Sequence, residues 1–132
     1  MLQYPAKVLI AFGETFREKS EFFDWLVQNE YKELAALSSA IRGSVDAFHW
    51  LLEHGYPELA ALDSAIDNQL SAMDWLRKND HHVLVAFAAS CNHDKSAEEW
   101  LQKKGLAIFN HLAHRINEFR DNQTFDVHKR RF

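Results

Sequence analysis

The four tryptophans of the chain, Trp25, Trp50, Trp75 and Trp100, stand 25 residues apart. Aligned on that period, three units fall under one another from Tyr31, Tyr56 and His81. They read YKELAALSSAIRGSVDAFHWLLEHG, YPELAALDSAIDNQLSAMDWLRKND and HHVLVAFAASCNHDKSAEEWLQKKG. A more divergent unit precedes them from Ala6 to Glu30, and a partial one follows from Leu106. Self-similarity at a fixed period marks stacked repeats, in which one unit cannot bury its apolar face without its neighbours. The chain therefore divides into units 6–30, 31–55, 56–80 and 81–105 with a capping segment 106–132, all within a single repeat domain.

Within each unit the apolar columns repeat with helical spacing. Position four holds Leu9, Leu34, Leu59, Leu84 and Phe109; position seven holds Phe12, Leu37, Leu62, Phe87 and Leu112. Position eleven holds Phe16, Ile41, Ile66, Cys91 and Ile116. Steps of three and four put these on one stripe of a first helix. Small residues such as Ala11, Ala36, Ala61 and Ala86 let the first helices of successive units lie close together. A second stripe, Phe22/Ala47/Ala72/Ala97, the tryptophans, then Leu26/Leu51/Leu76/Leu101, makes a second helix with the indoles facing the core.

Turn chemistry fits the same frame. Pro57 and Pro5 suit the start of a first helix, and Gly55 and Gly105 sit where a glycine ends a second one. Gly43, Asn68 and His93 mark tight turns between the two. Ser71 with Asp74 and Ser96 with Glu99 have capping-box spacing at the start of the second helix. Strand signals are absent. The expected fold is all-α: four αα units and a terminal helix in a short right-handed α-solenoid.

The two ends break the pattern differently. The last unit has His111 and Arg115 in place of small residues, as a polar cap requires, and Phe125 at its tryptophan position after the polar stretch Asn117 to Gln123. The first carries Tyr4, Ile10, Phe22 and Phe23, an apolar end suited either to filling the space of a missing repeat or to pairing with a second copy. A homodimer through this end is one expected partner.

In its ending Trp50-Leu-Leu-Glu-His-Gly55 and its Leu-Ala-Ala first helix, the unit resembles the ankyrin repeat across Ala6 to Asn122. An ankyrin unit has about 33 residues, so 25 leaves no room for its β-hairpin finger. The Thr-Pro-Leu-His opening is also missing, with Pro57 its one remnant. The resemblance implies protein–protein binding by the exposed side of the first helices.

Composition sets the remaining bounds. The 132 residues carry a net charge of −4, which gives no general attraction to nucleic acid or acidic membranes. The single Cys91 cannot make an internal disulfide and occupies an apolar column, where a buried, inert thiol is expected. The apolar run Val8–Phe12 is too short for a signal peptide or a membrane span, and a cytoplasmic protein is expected.

No glycine-rich phosphate loop, nucleophile elbow or His-Glu-x-x-His appears, so no enzyme activity and no cofactor are expected. The pairs His81-His82 and His111/His114 do not complete a metal set at a known spacing, and no metal is expected. The polar, varied positions of the first helices, Ser39, Arg42, Asp63, Ser64, Asp67 and Asn92, form the expected binding surface of a non-catalytic protein-interaction module. The alternative is a nucleic-acid-binding α-solenoid, using the basic end around Lys129, Arg130 and Arg131.

Overall fold

The computed structural model describes residues 1–17 and 20–130, with side chains as far as Asn122. All regular structure among the described residues is helical, as the patterning predicts. Four helix pairs follow one another: α1 (Ala6–Glu14) with α2 (Ser20–Gln28), and α3 (Lys32–Ile41) with α4 (Val45–Glu53). Then come α5 (Pro57–Ile66) with α6 (Leu70–Lys78), α7 (His82–Cys91) with α8 (Lys95–Lys103), and a single α9 (Ala107–Arg130). Among the described residues no helix is long and apolar enough to cross a membrane.

The turns explain why the period is 25. Each second helix ends in a residue of left-handed backbone: Glu30 (φ 69°), Gly55 (83°), Asp80 (61°) and Gly105 (73°). Each first helix of units two to four ends in another: Gly43, Asn68 and His93. Beyond every second helix the next N–H donates back to the carbonyl of Leu26, Leu51, Leu76 or Leu101 at 2.8–2.9 Å. This is the closing bond of a Schellman motif, and the same six-to-one bond follows α3, α5 and α7. The sequence places the starts of α6 and α8 too late. Asp94, not Ser96, caps α8 by accepting from the Ala97 N–H, and α6 begins after Gln69 with no side-chain cap. The caps are displaced because the left-handed residue at position 13 lets the helix restart within two residues.

The core follows the predicted columns. Positions four and seven are buried in all five units, and Leu26, Leu51, Leu76 and Leu101 are fully enclosed. The tryptophans are not. Trp25 and Trp50 are half-buried, and Trp75 and Trp100 are each 36% exposed. The buried seam is the leucine after each indole, which corrects the inward-facing ladder read from the sequence. The indole instead lies flat on the residue six positions on: Trp25 on Tyr31, Trp50 on Tyr56 and Trp75 on His81, with centroids 5.7–6.2 Å apart. Leu106 cannot stack this way, and Lys104 lies 5.7 Å from the Trp100 ring centroid instead. The first three tryptophans thus clasp the end of their unit to the start of the next.

The ends of the chain meet. The first helices touch in the order α1, α3, α5, α7, α9, and α9 then packs against α1. A Cβ built on Gly13 would lie 2.8 Å from Leu112 Cδ2 and 3.7 Å from Arg115 Cγ, and Phe16 meets Phe119 at 6.0 Å. The inner helices therefore close into a ring, with α2, α4, α6 and α8 each lying outside the two inner helices that flank it in sequence. An open stack with two free ends is not what these contacts describe. The face of α1 around Gly13, and Phe16 just beyond its end, are covered by the chain's own α9.

The last unit is a single terminal helix, as the sequence predicts. α9 is continuous through Asn117 to Gln123. The position that bends α3, α5 and α7 with Gly43, Asn68 or His93 is Glu118 in α9, a good helix former paired with Arg115 one turn earlier. The expectations for the Phe125 side chain and for the basic end Lys129, Arg130 and Arg131 lie outside the described residues.

Candidate functional site

Because each outer helix contacts inner helices only, a groove runs between successive outer helices with an inner helix as its floor. The groove over α5 forms a cleft of about 460 Å³. Its floor is made of Pro57, Ala60, Ala61 and Ser64, ending at Asp67. Phe48 and Leu52 of α4 form one wall, and Ala72 and Trp75 of α6 form the other. The small floor residues follow from the close packing of the inner helices; the same alanines leave depth above them. Leu52 is 47% exposed and Trp75 36%, so both walls offer apolar surface to solvent.

The six sequence-predicted residues do not gather at one place. Ser64 and Asp67 line this cleft. Ser39 and Arg42 hold the equivalent positions one unit back, where Ser39 is half-buried with its carbonyl accepting from the Ser44 N–H at 2.9 Å, and Arg42 is exposed at the end of α3. Asp63 is turned into the structure and buried. Asn92 is a tie between units: its amide donates to the carbonyls of Ile66 (3.2 Å) and Ala88 (3.1 Å), and its oxygen accepts from Asn68 at 3.2 Å.

Electrostatics at the cleft's polar end is set by α9. Arg120 donates to the Ile66 carbonyl at 3.0 Å and lies 3.7 Å from an Asp67 oxygen. Burial, then the neighbouring Asp67 charge, pushes the Asp63 carboxyl up to about 6, with Arg120 opposing them. Burial likewise pushes the Cys91 thiol up to about 12, which leaves it protonated and unreactive at neutral pH. His111 and His114 are exposed, and His114 lies 3.7 Å from Glu118. Among the described residues no three His, Cys, Asp or Glu side chains converge as metal ligands would.

Sequence reasoning missed the walls: Trp75 read as core because its spacing is that of a buried stripe, and Phe48 and Leu52 were given no role. The available signal was the column of Val27, Leu52, Arg77 and Gln102, which turns polar in later units and so cannot be a core column. No protein-family model, no curated protein and no solved structure matches this chain.

Proposed function

We propose that the chain is a non-catalytic protein-interaction module built from ankyrin-like helical repeats. In this reading the repeats are short solenoid units bent until their ends meet. The observation that carries the reading is the cleft over α5, with exposed apolar walls, a floor of small residues and a polar end at Ser64 and Asp67. Apolar surface of that kind rimmed by polar groups is the ordinary form of a recognition groove. Half-exposed Trp75 suits it further, since tryptophan anchors contribute disproportionately to such contacts. Arg42 and Ser39 extend the surface one unit back, and Asn92 supports it from beneath by fixing α7 to α5.

A photo-cross-linking amino acid at Ser71, on the cleft wall, tests this in the native cell against the same group at Lys103 on α8. The expected result is a discrete adduct from Ser71 that disappears when Leu52 is changed to Asp. Adducts that are identical from both positions, or that survive Leu52→Asp, would sink the assignment.

A further inference from the structure

Five inner helices are accompanied by four outer ones among the described residues, because α9 runs on where the other first helices turn back. Among the described residues no helix stands at the fifth outer position, beside α1. Its consequences are visible in the side chains. An open recess of about 540 Å³ is lined by Lys7, Ala11, Glu21, Phe22 and Trp25. In the repeat these are the positions of Pro57, Ala61, Ser71, Ala72 and Trp75, which line the cleft over α5. The difference is the wall: Phe48 and Leu52 of the preceding outer helix complete the α5 cleft, and among the described residues no such side chain borders the recess. Position five of the unit registers the same loss. Ala35 and Ala60 are 3% and 1% exposed, whereas the larger Ile10 is 45% exposed.

We infer that this position receives an amphipathic helix of another protein, bearing two bulky apolar residues four apart and lying antiparallel to α1. The first part follows from what fills the equivalent place elsewhere: α4, with Phe48 and Leu52, against α5. The orientation follows from charge. α1 and α2 are joined by a short connection and run antiparallel, so Lys7 and Glu21, near their respective starts, mark opposite ends of the recess. At the Glu21 end Arg17 is 3.5 Å from Glu14. A helix antiparallel to α1 brings its positive N-terminus to Glu21 and its negative C-terminus to Lys7. This surface is separate from the cleft over α5, so either can fail without the other.

The probe is a helix-stapled peptide with the sequence of residues 44–55, titrated into the isotope-labelled full chain and followed by amide chemical shifts. The expected result is saturable shifts on residues 7–14 and 21–25, with a dissociation constant on the order of 100 µM for so small a contact. Changing Phe48 and Leu52 of the peptide to Ser, or Ile10 of the protein to Glu, should each weaken binding about tenfold or more. Lys7→Glu, at an exposed position, is the second variant should Ile10→Glu not fold, and is expected to weaken it less. Shifts confined to α4–α6, or none at about ten times that peptide concentration, would overturn the inference. So would a dimer in sedimentation that Ile10→Glu dissolves, because the occupant would then be a second copy.

Discussion

The junction between α4 and α5 and the junction between α9 and α1 hold neighbouring units together by different means. The first is local: a left-handed Gly55, the Tyr56 N–H on the Leu51 carbonyl, and Trp50 lying over Tyr56. The second joins residues that no turn connects. It depends on the missing side chain of Gly13, which lets Leu112 approach, and on Phe16 meeting Phe119. One kind of junction is specified by a repeated short motif, the other by the fit of two surfaces that meet once.

The largest effect should come from the local seam. Leu51 is fully enclosed, so Leu51→Ala should cost about 3 kcal/mol, read by denaturant unfolding. Trp50→Ala, although it removes more atoms, should cost less, because the indole is half-exposed. A larger loss at Trp50 than at Leu51 would restore the tryptophans as the seam.

Next comes the closing junction. Gly13→Val should cost about 2 kcal/mol, since Leu112 is fully buried and has little room to move away from a Cβ at 2.8 Å. A neutral Gly13→Val would mean that α9 does not lie on α1 in solution.

Asp63 tests the balance between the two, since it is on α5 but feels Arg120 of α9. Its carboxyl pKa lies near 6 in the fold and near 4 in an unfolded chain, so the fold holds its proton more tightly. Its contribution to stability is therefore greatest below about pH 4 and is lost as pH rises through about 6. Asp63→Asn should raise stability by about 1–2 kcal/mol at pH 7 and leave it unchanged at pH 4. A gain that is the same at both pH values would show that the carboxyl is not perturbed.

The smallest expected effect is at the turns. Gly55→Ala should cost about 1 kcal/mol by strain at φ 83°, while Asp80→Gly, at the equivalent place with φ 61°, should gain several tenths of a kcal/mol. Equal signs for the two would argue against a shared backbone geometry at these positions.

The sequence exposed the periodic part of this architecture because position-by-position constraints were repeated often enough to be averaged. Helix count, pairing, the Leu columns and the glycine turns were legible for that reason. Half-exposure of the tryptophans was not, since an indole stacked on Tyr31 or Tyr56 and one buried in a core have the same spacing. The closure was least legible of all. Gly13 is one glycine in a helix, and nothing in its neighbours says that Leu112 will stand against it. At the site, Ser64 and Asp67 were found by being polar and exposed, Asp63 and Asn92 were drawn in by the same criterion, and the apolar walls escaped it.

Closure also bears on how the chain comes apart. An open array frays from its ends, each terminal unit holding by one neighbour only. Here Phe16, just after the first helix, meets Phe119 of the last across roughly 100 residues, a loop whose closure entropy has to be met in one step. Once it is met, the outermost units have a partner on both sides, and releasing either of them opens the ring. The protein should accordingly unfold as a single cooperative unit, with first and last helices exchanging their amide hydrogens at much the same rate as the middle ones.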